Sequence, residues 1–381
     1  MSGNDNDKEL IINVDYYDLV YYSDELYDKA RIDNFVRRCA EHGYDRLLWR
    51  LSVCGKSAYP TRVRTVFDAG PSERGNRLAT ILKMFDPLEY AISACRKYGL
   101  KIYPWITVLD DYYAEPGKAG NLASEFVLRN PGFCWVSRDQ KTPFMGVLCY
   151  EYPEVMEHRL AEMKEVLEYD IDGLYLCTRS HAKHSSPVRQ EDYFGFNQPF
   201  VEKYKQRYGI DILTQDYEKE KLYAIRGESL TNFLSRVKKL TSSKGIPLSV
   251  GIMRTPYACM NMYPMAKLEL NWRKWVDEGI VDELIVCAGE DILDHGEEWL
   301  REVPAYFGRC REMGRKLQIW FRLFDWSNKY CNRDEDEIPT KPASVISDTV
   351  NLLRTMPIDG IAFHEALNIE AKGLWDAILG R

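Results

Sequence analysis

Five acidic residues fall just past short apolar runs spread along the whole chain. They are Asp15 after LIINV, Asp110 after LKIYPWITVL, Glu290 after DELIVCAG, Asp325 after LQIWFRLF and Glu365 after GIAFH. Two carboxyls on either side of a glycosidic bond, one giving a proton and one acting as base or nucleophile, are what hydrolysis of that bond requires. Asp325 is the first candidate for nucleophile or base, with Asp15, Glu365 and Asp110 behind it; Asn13 and Asp18 flank Asp15 with no role assigned. Arginines occupy equivalent places: Arg50, Arg179, Arg254 and Arg322. A guanidinium in a concave site either pairs with an adjacent carboxylate or grips an anionic group with two parallel hydrogen bonds. Four of them are hard to explain as ion pairs alone, so at least one is expected to hold a carboxylate or sulfate of the substrate. Trp49, Trp105, Tyr175, Trp320 and Trp326 would offer faces to sugar rings, and Glu290 and His364 further contacts. His181 and His364 are placed to move a proton. The first apolar run reads NVDYY where metal-dependent hydrolases carry H-x-H, and H-E-x-x-H is absent. No metal and no other cofactor is expected.

These residues need a common frame, and the periodicity supplies one. An amphipathic helix, a glycine or acidic turn and a short apolar strand recur, with strands starting near residues 10, 45, 101, 173, 247, 282, 316 and 359. Gly43, Gly99, Gly245, Gly279 and Gly314 each stand between a helical pattern and a strand, where glycine supplies the left-handed cap that ends a helix. Asp86-Pro87-Leu88-Glu89 reads as an N-cap, a first-turn proline and a capping glutamate ahead of Ile92, Cys95 and Tyr98. Pro153, Pro199 and Pro342 mark further helix starts. Dense apolar strands alternating with helices mean a parallel sheet covered on both faces. Eight such units, with no G-x-G-x-x-G or P-loop lysine after any strand, predict an α/β fold of the (β/α)8 TIM-barrel type. It fills residues 10–381 as one catalytic domain behind a polar tail of residues 1–9. The segments 54–85, 109–152, 179–197, 254–265 and 324–341 are long and all leave strands. In this architecture they build the site at the carboxyl ends of the strands.

Composition narrows the classes further. The 381 residues carry a net charge of −7, with 45% hydrophobic and 29% charged residues. That balance excludes a disordered chain and a disulfide-stapled miniature scaffold, and the acidity argues against a nucleic-acid partner. No apolar run reaches the roughly 20 residues of a membrane span. The opening MSGNDNDKEL is unlike a secretory signal, and none of the ten cysteines falls in a C-x-x-C pair. They read as small buried hydrophobes in a reducing, cytoplasmic setting.

Several stretches carry a family resemblance. NFVRRCAEHGYDRLLWRLSVCGKSAYPT, DPLEYAISACRKYGLKIYPWITV, YEYPEVMEHRLAEMKEVLEYDIDGLYL, VEKYKQRYGIDI and RGESLTNFLSRVK cover most of residues 10–255, and LNWRKWVDEGIVDELIV extends them. Together they resemble the family-10-like bacterial glycosyl hydrolases, which implies a barrel that hydrolyses glycosides and a carbohydrate as its partner. One departure bears on the site. Relatives often carry acids after the strand that opens with Asp-Gly, in a pattern like H-F-D-D, whereas this chain reads Cys177-Thr178-Arg179-Ser180-His181. The acids must then come from other strands, or a histidine takes one role. The expectation is a glycoside hydrolase acting on an anionic glycan bearing uronate, sialate or sulfate. Three alternatives stand beside it. One is a sialidase-like mechanism using Asp15 and His181 with Arg50 and Arg179; the others are a barrel that only binds glycans and a metal-dependent hydrolase.

Overall fold

The computed structural model describes residues 8–15, 18, 28–68, 73–113, 122–180, 192–254, 257–260, 263–287, 296–324 and 340–379. Eight strands pair in parallel and close on themselves. They are β1 (Glu9–Val14), β2 (Arg46–Arg50), β3 (Lys101–Thr107), β4 (Leu174–Cys177), β5 (Leu248–Met253), β6 (Glu283–Cys287), β7 (Lys316–Arg322) and β8 (Gly360–His364). Each neighbours the next in sequence, and β8 closes the ring against β1 with Ile11 opposite Ala362 and Asn13 opposite His364. Every start lies within one residue of the position expected from the sequence.

Helices over Lys29–Glu41, Pro87–Tyr98, Pro153–Val166, Lys219–Ser243, Trp272–Asp277, Gly296–Glu312 and Ala343–Thr355 lie between successive strands. The Pro87–Tyr98 helix starts as expected: Asp86 accepts hydrogen bonds from the N–H groups of Leu88 and Glu89, with proline in the first turn. It ends at Gly99, whose φ of 77° is the left-handed conformation that closes a helix without a Cβ clash. The same sign of φ recurs at Gly43, Gly245, Gly279 and Gly314.

Alternate residues of each strand face opposite sides. One set fills the barrel lumen, where Ile11, Leu48, Trp105, Tyr175, Ile285 and Trp320 pack together. The other set packs against the helices. The foot of the lumen is charged: the fully buried Arg46 donates to Glu283 across the barrel and to Glu9 on neighbouring β1, its guanidinium 4.3 Å over the Tyr103 ring.

The long segments leaving the strands carry structure of their own. Residues 52–66 form a small three-stranded sheet, and two-stranded sheets pair Tyr112–Tyr113 with Leu122–Ala123, Cys134–Val136 with Pro143–Leu148, and Tyr257–Met260 with Tyr263–Glu269. Within 54–85, which reads as loop in the sequence, residues Glu73–Met84 form a helix. Its Leu78, Ala79 and Ile81 are buried, spaced as one helical face requires. Among the described residues no helix is long and apolar enough to cross a membrane. Cys39, Cys54, Cys95, Cys134, Cys149, Cys177, Cys287 and Cys310 are buried free thiols.

Candidate active site

The carboxyl ends of β8, β1, β2 and β3, four consecutive staves, bring an acid–base cluster together. Asp15 directly follows β1, Arg50 closes β2, Asp110 stands three residues beyond β3, and His364 and Glu365 end β8. Arg50 Nη1 donates to Asp15 Oδ2 at 2.5 Å, and its Nη2 lies 3.6 Å from Asp110 Oδ2. Its guanidinium carbon sits 4.9 Å over the Trp105 ring. All three charged groups are buried. Arg50 therefore serves as a clamp between two carboxylates.

Asp18 joins this cluster through a tight turn. Its Oδ2 accepts the Asp15 N–H at 2.8 Å, while its own N–H donates to the Asp15 carbonyl at 3.1 Å. Burial pushes the Asp18 carboxyl well above the usual carboxylate range, and the charges of Glu365 and Asp15 push in the same direction. Among the described residues its Oδ1 is buried without a hydrogen-bond partner. Its surroundings therefore favour the protonated form of this carboxyl. On the far side of Glu365, His364 Nε2 is 3.4 Å from Glu365 Oε2. The His364 ring packs against Trp320, Phe324 and Trp105, with centroids 4.7, 5.3 and 5.8 Å away.

Asp110 is held from beneath by buried charges. Arg159, on the Pro153–Val166 helix, donates to the Thr107 carbonyl at 2.8 Å and pairs with Glu162 at 2.8 Å and Asp111 at 3.5 Å. Arg64 approaches the same two acids from the loop after β2, at 3.2 and 3.5 Å. Tyr150 donates its hydroxyl proton to the Val108 carbonyl at 2.6 Å. The chain from 107 to 111 is thus fixed at both flanks of Asp110. Cys54, in the left-handed region at φ 51°, adds its thiol to Asp110 from the β2 loop, and burial there pushes the thiol pKa up.

Arg179, after β4, behaves differently from Arg50. Its guanidinium carbon lies 4.3 Å over the Trp320 ring. Its Nη2 is buried with no hydrogen-bond partner, and no carboxylate pairs with it among the described residues. Arg254 pairs with Glu302 at 3.3 Å, and Arg322 lies 5.1 Å over Phe324.

The aromatic candidates fall on two sides of the strands. Trp49 packs among the residues facing the helices, because its neighbours Leu48 and Arg50 take the inward positions of β2 and strand residues alternate. Trp105, Tyr175 and Trp320 face inward and are buried in the lumen core, Trp105 under Arg50 and Trp320 under Arg179. Tyr175 lies across Gly251, where a Cβ would fall 2.1 Å from its hydroxyl. Asp325, Trp326, His181 and Glu290 lie outside the described residues. Asp18 is the group that the sequence leaves without a role. The Asp-x-x-Asp spacing just past β1 carries the turn, but the carboxyl's environment depends on Glu365 from the last strand. Among the described residues no group of three or more His, Cys, Asp or Glu is arranged to hold a metal ion.

No protein-family model matches the chain, and no curated protein matches it. Among solved structures it is similar to α-L-fucosidase isoenzyme 2 from Paenibacillus thiaminolyticus, with a TM-score of 0.59 and 13% identity over 98% of this chain and 48% of that one. The chain spans about half the length of that fucosidase. It is also similar to the catalytic domain of β-amylase from Paenibacillus polymyxa, with a TM-score of 0.56 and 12% identity over 98% of each chain. At these identities the likeness is one of fold, and with the closed eight-stranded ring it makes this chain a (β/α)8 barrel.

Proposed function

We propose that the protein is a glycoside hydrolase that cleaves an anionic glycan at the carboxyl end of the barrel. The observation that carries this reading is the Asp18 carboxyl, held in a turn against Asp15 where burial and the charges of Glu365 and Asp15 raise its pKa. In this scheme Asp18 gives its proton to the leaving oxygen, and Glu365 acts as base or nucleophile with His364 orienting it. Asp15 and Asp110 bear charge toward the ring through the Arg50 clamp, and Asp325 remains a proposed contributor from β7. Arg179 takes the carboxylate or sulfate of the sugar, since its guanidinium rests on Trp320 with no acid paired to it among the described residues. Two solved barrels of the same fold, named as a fucosidase and an amylase, lend support. Within glycoside hydrolases the sequence motifs favour the family-10-like bacterial barrels.

The test is hydrolysis by the purified protein of uronate-bearing, sialylated, sulfated and neutral glycans, followed by release of reducing ends. Anionic glycans should be cleaved and Asp18→Asn should lose at least about two orders of magnitude in kcat, the usual scale of a lost general acid. Cleavage of neutral glycans alone would overturn the anionic part. Tight glycan binding with no turnover would leave a barrel that only binds.

A further inference from the structure

A cavity of about 540 Å3 lies among the segments that leave β3 and β4, outside the acid cluster. Arg138, Asp139, Asp192, Asp216, Tyr217 and Lys219 line it. We propose that it is a second carbohydrate subsite, one that takes an uncharged sugar ring of the same glycan chain. The inference rests on the proposed glycoside hydrolase reading for the identity of the chain, while the site itself stands on its own geometry.

The size suits one or two sugar rings, since small-ligand sites run from about 300 to 1,000 Å3. Tyr217 is half-buried and fixed on two sides: the Arg138 guanidinium carbon lies 5.2 Å from its ring centroid and Phe196 meets it edge-on at 5.8 Å. A rigid aromatic with a polar tip binds at low entropic cost. Arg138 is itself immobilised, donating from Nε to the Ile212 carbonyl and from Nη2 to the Gln215 carbonyl, both at 2.7 Å.

The acids are prepared as acceptors. Ser137 donates its hydroxyl proton to Asp139 at 2.6 Å and holds that carboxyl below the usual range. Asp192 is buried and accepts from the Tyr223 hydroxyl, with Lys219 Nζ 3.5 Å away. Among the described residues its Oδ1 has no hydrogen-bond partner, and Arg226 Nη1 stands 3.8 Å from it. Vicinal sugar hydroxyls donate to such carboxylates and accept from an ammonium. Three carboxylates against an arginine spent on carbonyls and one lysine disfavour an anion here. The cavity and Arg179 therefore select opposite features of one glycan: an uncharged ring at one place and an acidic group at the other.

The experiment titrates the full chain with neutral oligosaccharides of one to six sugars by calorimetry, beside Tyr217→Ala and Asp216→Ala. Asp216 is exposed, so its variant keeps the fold even if the tyrosine variant does not. Both variants should weaken binding about tenfold. On hydrolysed glycans they should raise KM for long chains while leaving kcat and short substrates unchanged. Binding lost in the variants with no hydrolysis by any form would remove the hydrolase and leave the subsite standing. Absence of neutral-sugar binding by the natural protein at millimolar concentration, or unchanged affinity in Asp216→Ala, would overturn the subsite.

Discussion

At the scale of single residues, two arginines with the same strand-end address have opposite surroundings. Arg50 is spent on Asp15 and Asp110, whereas Arg179 lies on Trp320 with no acid beside it among the described residues. Removing one partner of a buried pair leaves an uncompensated charge and costs about 3–5 kcal/mol. Arg50→Ala should therefore lower stability in urea unfolding and damage cleavage of every substrate. Arg179→Ala should leave stability nearly unchanged and cut kcat/KM on anionic glycans by at least about tenfold, the equivalent of about 1.4 kcal/mol of lost charge-assisted contacts. Lysine at 179 should restore part of that, because a point charge lacks the planar fork. Equal loss on neutral and anionic substrates in Arg179→Ala would remove its anion role. Asp18 adds a pH signature. Its folded pKa is raised, so its contribution to stability is present at low pH and is lost as pH rises through the raised value. Asp18→Asn should then be more stable than the natural protein at neutral pH while inactive. The alkaline fall in activity of the natural protein should mark ionisation of this acid.

At the scale of elements, the strands were legible because each is a dense apolar run entered from a glycine-capped helix, and that combination has few other solutions. The parity of side chains was harder. Trp49 and Arg50 are adjacent, so only one of them can face the lumen, and the arginine does. The Glu73–Met84 helix reads as loop because Gly70, Pro71 and Gly75 crowd its start, yet its apolar spacing is there to see. The Pro153–Val166 helix shows how an outer element reaches the site, since its Arg159 holds the Thr107 carbonyl. The same helix carries His158, stacked on Phe126 with centroids 3.9 Å apart. Burial first, and then the charges of Arg159 and Arg64, lower its pKa from 6.5 to about 4. A histidine with a depressed folded pKa contributes stability that is present above pH 6.5 and lost as pH falls toward 4. The loss should be on the order of 1–2 kcal/mol once partial exposure is allowed for. His158→Phe keeps the ring stack and removes the proton. The gap between its unfolding free energy and that of the natural protein should grow from pH 7 to pH 4.5; a constant gap would place the acid sensitivity elsewhere.

At the scale of the whole molecule, the barrel divides its labour along its axis. Residues that end strands carry the acid–base cluster, and residues that begin them carry a buried ion triad of Arg46, Glu283 and Glu9. Hydrophobic patterning in the sequence showed the ring of strands but could not show this triad, because its members come from β1, β2 and β6 and meet only once the ring has closed. The Asp18 cluster was illegible for the same reason: its electrostatics join both ends of the chain. In barrels of this kind the amino-terminal face serves stability and the carboxyl-terminal face serves chemistry, which separates two readouts here. Arg46→Met leaves Glu283 buried with its cation gone and should cost about 3–5 kcal/mol of unfolding free energy. Adding Glu283→Leu removes the stranded charge, and an apolar pair of similar volume should recover most of that loss. At a temperature where both variants are folded, their kcat and KM should match the natural protein, since the triad lies below the lumen aromatics that underpin the mouth. A double variant that stays as unstable as Arg46→Met would show that the triad's geometry, and not its stranded charge, sets the cost. A double variant that regains stability but loses kcat would show that the foot of the barrel communicates with the acids above it.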